Sequence, residues 1–243
     1  MKVGVGFTVI IIISVGLVCG GKEMYVGYYD ISRFQDTEIT IMNVGLKGAN
    51  YVLHVYNAYG EQIFLSIGAL DAGASAFYRL SEEIEKEPDN WGLFLIETAE
   101  KSFLALGIEY FVGDTLISID NIVEPIPKLG INRRYWYCMY YVNAGHADTG
   151  LIVMNPWWGD TTVTVYLREQ DGTLLSKRTV ELSAHNSFFI DLEEYIGHSE
   201  TFWGIIDVVA ENPIALACEY YNRANSRLEI DNVYNYYAVQ IAD

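Results

Sequence analysis

The chain has 243 residues, of which 32 are acidic and 15 are basic, so its formal net charge is −17. A protein this acidic repels phosphate groups, which excludes nucleic acid and anionic lipid surfaces as favourable partners. The length exceeds that of one typical domain, and an apolar content of 51% is enough for packed cores.

The first 21 residues have the composition of an export signal. Lys2 is followed by an uncharged, largely apolar run that ends at Gly20 and Gly21. A short positive end, an apolar stretch and terminal small residues are typical of a secretory leader. The run is also long enough for a retained membrane anchor. We expect residues 1–21 to be a signal peptide or anchor, the protein to be exported to the periplasm, cell surface or exterior, and an uncleaved leader to be its one membrane contact.

The rest of the chain repeats itself after 112 residues. The run 39–43 ends in Asn43 and the run 151–155 ends in Asn155, with a similar apolar pattern before each. The same shift relates Tyr28-Tyr29 to Tyr140-Tyr141, Gly60 to Gly172, Phe77 to Phe189 and Trp91-Gly92 to Trp203-Gly204. A period this long matches a whole domain. The sequence therefore predicts two homologous domains, 22–124 and 135–243, joined by the proline-containing linker 125–134.

The apolar pattern within each copy is that of β-strands. Residues 162–167 alternate strictly between polar and apolar side chains, and 51–55 present the same side in the first copy. Asp171-Gly172 is a strong hairpin signal. Helical turns are predicted only at 81–86 and 193–197. We expect an all-β protein of two tandem antiparallel β-sandwiches of the immunoglobulin/fibronectin-like kind.

The second copy carries a series of strand and turn motifs in a fixed order: Asn155-Pro156, Asp171-Gly172, Phe189 to Leu192, Trp203-Gly204 and Asn212 to Ala217. This order resembles secreted bacterial and archaeal tandem β-sandwich repeats and, more distantly, the β-sandwich of the sensory rhodopsin transducer family. The first copy departs from the pattern, with Val44 in the place of Pro156. The resemblance implies a binding or scaffolding role and offers no catalytic residues.

Two cysteines remain after the leader, and both lie in the second copy. Cys138 and Cys218 occupy positions that are Val26 and Ile108 in the first copy. In an exported protein such a pair indicates a disulfide within one domain. The alternative is a pair of buried free thiols that pack as small apolar side chains.

The sequence contains no nucleophile elbow, zinc-binding His-Glu-x-x-His motif or phosphate-binding loop. Its four histidines are spaced too irregularly to form a ligand pair on one element: His54, His146, His185 and His198. We therefore predict no catalytic residue, no metal and no cofactor.

A short acidic motif occurs in both copies, as Asp120-Asn121 and Asp231-Asn232. Side-chain oxygens in this arrangement could bind calcium or a substrate. A turn or strand bulge that both copies need is the interpretation we favour, because calcium loops gather more oxygen ligands within a dozen residues.

Aromatic residues give the strongest functional signal. Tyr140-Tyr141 and similar pairs suit half-buried sheet surfaces. Trp157-Trp158 lies in a predicted turn where the first copy has Gly45-Leu46, so the fold itself does not require indoles there. Adjacent turn residues cannot easily both be buried, and exposed indoles stack on sugars or enter partner pockets. The alternative, which we favour, is that these indoles cap the end of the sandwich or pack against the other domain. The candidate ligand-binding residues are Trp157, Trp158, Tyr140 and Tyr141.

These features favour a non-catalytic, extracytoplasmic binding, adhesion or scaffolding protein with an unknown protein or carbohydrate ligand. One alternative is a carbohydrate-binding module that uses Trp157 and Trp158. Another is a hydrolase with two carboxylates about 5 to 10 Å apart at the domain interface. The oligomeric state is not predicted.

Overall fold

The computed structural model describes residues 22–32, 35–88, 90–99, 101–130, 133–144, 147–196, 201–223, 227–233 and 236–240. In the first half of the chain these form β1 (Lys22–Asp30), β2 (Gln35–Asn43), β3 (Ala49–Asn57), β4 (Gln62–Leu70), β5 (Ser75–Arg79), α1 (Leu80–Glu83), β6 (Trp91–Ala99), β7 (Leu104–Val112) and β8 (Thr115–Ile122). The second half forms β9 (Arg133–Ala144), β10 (Ala147–Met154), β11 (Thr161–Glu169), β12 (Leu174–Leu182), β13 (Ser187–Asp191), α2 (Leu192–Ile196), β14 (Thr201–Ala210), β15 (Ala215–Asn222), β16 (Arg227–Val233) and β17 (Tyr236–Gln240).

The first half is a sandwich of two four-stranded antiparallel sheets. One sheet has the order β1-β6-β3-β4 and the other β5-β2-β7-β8. Strand β3 shows why they stack: Tyr51, Leu53 and Val55 are buried on its inner side, as the alternating sequence predicts. They join a cluster that also contains Ile39 and Ile108 from the opposite sheet.

The second half pairs its strands in the same order. The sheet β9-β14-β11-β12 matches β1-β6-β3-β4, and β13-β10-β15-β16 matches β5-β2-β7-β8. Strand β17 extends the first of these sheets by pairing with β9. Among the described residues, a pair between Ala144 and Ala147 connects the two sheets. The predicted all-β antiparallel sandwich fold is confirmed. Its connectivity differs from the immunoglobulin constant type, because β1 pairs with β6 rather than with β2.

Equivalent side chains stabilise both halves. The Asn43 side-chain NH₂ donates to the carbonyl oxygens of residues 47, 70 and 71, and Asn155 does the same to residues 159, 182 and 183. Each asparagine also accepts a backbone N–H two residues ahead. The repeated asparagine is therefore a buried connector between the end of one strand and the turn of another hairpin.

The predicted local features differ from the structure in their bounds. The helical turns lie at α1 and α2, each shifted by one residue toward the N-terminus at its start. Gly60 and Gly172 both have left-handed backbone conformations at their turns, with φ of 80° and 87°. The predicted linker 125–134 is shorter than expected, because Arg133 and Arg134 already belong to β9.

The two halves pack against each other through sheet faces. The packing face of the second half consists of residues from β10, β13, β15 and β16: Ile152, Met154, Phe189, Ala215, Ala217, Glu219, Ile230 and Asn232. It covers the outer side of β1 and β6, here called the receiving face: Val26, Tyr28, Trp91, Leu93 and Leu95. Ile152, Met154 and Ile230 accordingly belong to the same buried cluster as the first half, while their strand neighbours Leu151 and Val153 belong to the second core.

The cysteines do not form the predicted disulfide. Cys138 and Cys218 are free thiols; Cys138 is exposed on the outer side of β9, and Cys218 is buried against Met139 in the second core. The comparison with Val26 misled the prediction, because Val26 is buried by the second half and not by its own core. The alternative of two buried thiols holds for Cys218 alone.

Among the described residues, no helix has both the length and the apolar character needed to cross a membrane. The predicted leader, 1–21, lies outside the described residues.

Candidate functional site: an outer aromatic face

The four candidate ligand-binding residues do not form one site. Tyr141 is buried in the second core, whereas its neighbour Tyr140 is about half exposed on the opposite side of β9. Trp157 and Trp158 lie in the turn after β10. Alternation along β9 separates the two tyrosines, since successive side chains of a strand point to opposite faces.

The two indoles of the turn have different surroundings. The Trp157 ring N–H donates to the carbonyl oxygen of Pro213, and the ring lines a cleft of about 320 Å³ together with Met24, Ile126 and Leu129. Trp158 is 70% exposed and meets the buried His185 ring edge-on at 4.4 Å. Trp158 is thus the indole that a ligand can reach.

Tyr140 belongs to a larger exposed surface on β9 and β14, which we call the outer aromatic face: Trp136, Tyr140, Trp203 and Ile205. The strand register pairs Ile205 with Tyr140 and places all four side chains on one side of the sheet. Tyr140 and Trp203 have ring centroids 6.2 Å apart, and all four residues are between 39% and 51% exposed. Such a cluster of exposed apolar side chains is typical of an interaction surface.

A carboxylate, Asp207, lies within this face, opposite Cys138 in the strand register. Arg168 on β11 forms an ion pair of 2.9 Å with Asp207 on β14, and the Trp136 ring N–H contacts the same carboxylate at 3.4 Å. Burial and the negative charge of Asp207 raise the pKa of the Cys138 thiol, which lies on the same side of β9. The face therefore combines rigid rings with a fixed ion pair and a protonated thiol.

The sequence contained a signal for this face that the prediction missed. Residues 135–141 alternate so that Trp136, Cys138 and Tyr140 share one side, opposite Tyr137 and its neighbours. Trp203 and Trp91 occupy equivalent positions in the two copies. Only the packing of the two halves shows that the same position is covered in one half and open in the other.

A second polar cluster lies in the cleft between the halves. The Tyr28 hydroxyl donates to Glu219 at 2.9 Å and contacts the Asp30 carboxylate at 3.3 Å, in a cleft of about 620 Å³ that Trp91 and Phe189 also line. Burial and the charge of Asp30 raise the pKa of Glu219 to about 7. Two carboxylates, Asp30 and Glu219, thus contact the same hydroxyl at the interface. The Tyr28 hydroxyl between them, however, favours a hydrogen-bond network that joins the halves over a catalytic pair.

The repeated Asp-Asn motif also serves this interface. Asn232 accepts the backbone N–H of Tyr28 and donates to the Tyr110 hydroxyl, both at 2.8 Å, while its own N–H donates to Asp120 at 2.7 Å. Both motifs lie within strands, β8 and β16, and not in turns; a turn was one of the two structural roles that we favoured, beside a strand bulge. In the described part of the chain, no group of three or more His, Cys, Asp or Glu side chains has the arrangement of a metal site.

Comparison with known proteins does not assign this chain to a family. No family model matches the chain, and no curated protein matches it. Among solved structures, a calcium-binding mutant of Bacteroides uniformis beta-glucuronidase 2 is 12% identical with a TM-score of 0.21, and 91% of this chain covers 27% of that chain. A glycosyl hydrolase family 2 member from Bacteroides cellulosilyticus is 8% identical with a TM-score of 0.18, with 91% and 29% covered. The chain thus spans little more than a quarter of these proteins.

Proposed function

We propose that this protein is a non-catalytic binding or scaffolding protein that acts outside the cytoplasm, and that the outer aromatic face is the surface through which it binds. The observation that carries this proposal is the joint exposure of Trp136, Tyr140, Trp203 and Ile205 on one side of a sheet. Tryptophan and tyrosine are the residues that contribute most energy at binding surfaces.

The position of these rings on strands supports the proposal. Side chains fixed on a sheet lose little conformational freedom when a partner covers them, so more of the burial energy is retained as affinity. Burial of apolar area contributes about 25 cal/mol per Å². The acidic composition, with a net charge of −17 for the full sequence, keeps such a protein soluble despite its exposed rings.

The test measures retention of the purified protein on cell envelopes of the producing organism. We expect the double variant Trp136→Ser/Trp203→Ser to bind about tenfold more weakly than the wild type, since two aromatic anchors are lost. Leu46→Ser removes an exposed apolar side chain from a loop outside this face and serves as the matched control. Equal retention of the double variant and the wild type would refute the proposed binding surface.

A carbohydrate ligand at Trp157 and Trp158 is the second candidate function. The exposed Trp158 ring and the adjoining cleft beside Trp157 favour it, because indoles stack on sugar rings. A glycan array tests this candidate with Trp157→Ala/Trp158→Ala. Retention on a glycan that the double variant loses supports it, and no retention on any glycan removes it.

A further inference from the structure

Several of the contacts that join the two halves are made by residues that both halves carry. On the receiving face, Tyr28 donates to Glu219, and Trp91 lies edge-on to Phe189 with ring centroids 6.5 Å apart. Asn232 accepts the Tyr28 backbone N–H and donates to Tyr110. Each of these six residues has an identical counterpart 110 to 112 positions away in the other half: Tyr28 and Tyr140, Trp91 and Trp203, Tyr110 and Tyr220, Phe77 and Phe189, Glu109 and Glu219, Asn121 and Asn232.

The counterparts lie on two surfaces at opposite ends of the stacked sheets. Tyr140 and Trp203 belong to the outer aromatic face, which is equivalent to the receiving face. The other surface is the outer side of β5, β2, β7 and β8, here called the free packing face: Thr40, Phe77, Gly107, Glu109, Ile119 and Asn121. The strand register places these six residues on one side of their sheet.

Exposure shows that both surfaces lack the cover that their equivalents have. Tyr28 is 2% exposed under the second half, whereas Tyr140 is 51% exposed. Ile230 is 3% exposed on the packing face, whereas Ile119 is 57% exposed on the free packing face. Phe77 is 59% exposed, and its counterpart Phe189, which is only partly covered in the internal interface, is 40% exposed. Each chain therefore presents one unfilled copy of each side of its own internal interface.

We propose that a second copy of this chain docks its free packing face onto the outer aromatic face and so repeats, between chains, the contact between the two halves. The proposal rests on the proposed function, since it names the partner of the same surface. The equivalent contacts join the Tyr140 hydroxyl of one copy to the Glu109 carboxylate of the next and set Trp203 against Phe77. The Asn121 side chain then meets the Tyr140 backbone N–H and the Tyr220 hydroxyl.

The hydroxyl that Asn121 would meet is already in position. The Tyr220 hydroxyl donates to the Tyr140 carbonyl oxygen at 3.1 Å, as the Tyr110 hydroxyl donates to the Tyr28 carbonyl oxygen at 2.9 Å. In the internal interface, Asn232 hydrogen-bonds to the Tyr28 backbone N–H and to the Tyr110 hydroxyl. The outer aromatic face thus reproduces the hydrogen-bonding arrangement of the receiving face as well as its rings.

Substitutions at the centre of the two exposed surfaces make the proposed contact between chains weaker than the contact between the two halves. Asp207 replaces Leu95, Cys138 replaces Val26, and Thr40 replaces Ile152. Each change reduces the apolar area that docking buries. The net negative charge of every copy also opposes association, and salt screens this repulsion. We therefore expect a reversible assembly that grows with protein concentration and with ionic strength.

The two surfaces are different, so the contact is heterologous. Such contacts generate closed rings or open filaments rather than two-fold dimers, and every open assembly keeps one free surface of each kind at its ends. A heterologous contact can therefore be distinguished from a two-fold interface by experiment. The probe is the protein itself.

Sedimentation velocity over a range of protein and salt concentrations tests the proposal. We expect the wild type to form a series of oligomers, and Trp203→Glu or Phe77→Glu alone to leave only monomers. Both side chains are largely exposed, so neither substitution disturbs a core. Leu46→Glu, which alters a 97% exposed leucine in a loop, is the matched control and assembles as the wild type does.

A mixture of the two variants shows whether the interface is heterologous or two-fold. Trp203→Glu blocks one surface and Phe77→Glu the other, so an equimolar mixture forms a one-to-one dimer and nothing larger. A two-fold interface would instead be broken by one variant only, and the mixture would gain nothing. That result would overturn the proposal.

The free thiols supply a second readout. Docking covers the exposed Cys138, so its rate of alkylation falls about tenfold when most copies are assembled. Cys218 is buried in the core and serves as the internal control, and burial raises its pKa to about 12. A protein that stays monomeric at every concentration, with a constant Cys138 rate, refutes self-assembly. If envelope retention still depends on Trp136 and Trp203, the proposed function stands with another partner.

Discussion

Equivalent residues of the two halves have different surroundings, because the second half packs on one face of the first. Val26 and Cys138 occupy the same place on equivalent strands, yet one is buried and the other exposed. Leu95 and Asp207 differ in their partners rather than in their exposure: Leu95 is buried under the second half, while Asp207 is 9% exposed and pairs with Arg168. A residue-by-residue comparison of the copies therefore identifies the strands correctly and fails to predict exposure.

Glu219 is the residue whose ionisation responds most directly to this packing. Burial and the nearby Asp30 carboxylate raise its pKa from 4.5 to about 7, although the Tyr28 hydroxyl partly offsets this. The folded state then binds more protons than the unfolded state between these two values. The free energy of unfolding consequently falls as the pH rises through this window and levels off above it.

We expect Glu219→Gln to flatten this pH dependence and to stabilise the protein above neutral pH by on the order of 2 kcal/mol, since one pKa unit corresponds to about 1.4 kcal/mol. Glutamine keeps an acceptor for the Tyr28 hydroxyl. Tyr28→Phe removes the donor and should steepen the decline. Urea unfolding at a series of pH values measures both, and an unchanged slope in Glu219→Gln would contradict the assignment.

At the scale of elements, close backbone approach fixes how β14 pairs with its neighbours. A Cβ atom on Gly204 would lie 1.9 Å from the Arg168 carbonyl oxygen on β11, and at the equivalent Gly92 it would lie 2.4 Å from the Tyr56 carbonyl oxygen on β3. The repeated Trp-Gly pair thus allows these strands to pair closely. The glycine permits the approach, and the tryptophan beside it is on the opposite side of the sheet from the core.

We expect Gly204→Ala to destabilise the protein by roughly 3 kcal/mol or more, because backbone atoms of β11 must move and ladder hydrogen bonds are lost. Gly159→Ala is the matched control, since nothing lies within 4 Å of a Cβ atom there. Thermal unfolding followed by circular dichroism compares the two. A melting temperature of Gly204→Ala equal to that of the control would show that the approach is not required.

At the scale of the whole molecule, the two halves share one buried cluster. Residues of β10, β15 and β16 belong to the core cluster of the first half, and hydrogen bonds of Asn232 and Glu219 cross the boundary. A shared apolar interface of this kind couples the unfolding of its two sides. The repeat in the sequence, from which two homologous domains were predicted, does not indicate this coupling.

We expect Ala217→Asp to weaken both halves together, by about 3 to 5 kcal/mol, because it places an unpaired charge in the interface. Gly107→Asp introduces an aspartate at the equivalent, partly exposed position of the free packing face. We expect it to change the free energy of unfolding of the monomer little. Hydrogen exchange measures the protection of strands in each half. Loss of protection confined to the second half would contradict the coupling.

The sequence by itself determined the strands, the turns and the repeat. Alternation of side chains, turn glycines and the 112-residue shift are local or self-comparing signals, and β-sandwich cores follow from them. The buried connector Asn43 and its twin Asn155 were visible in the same way, although their hydrogen bonds were not.

Only the tertiary structure decided which faces of the sandwiches are covered. Strands β1 and β9 both have apolar and aromatic residues on their outer side, and nothing in the pattern tells which side another sheet will cover. The stacking of the second half onto the first buries Tyr28 and leaves Tyr140 in solvent. Exposure, the state of the cysteines and the candidate binding surface all depend on this long-range packing, because it brings together residues about a hundred or more positions apart.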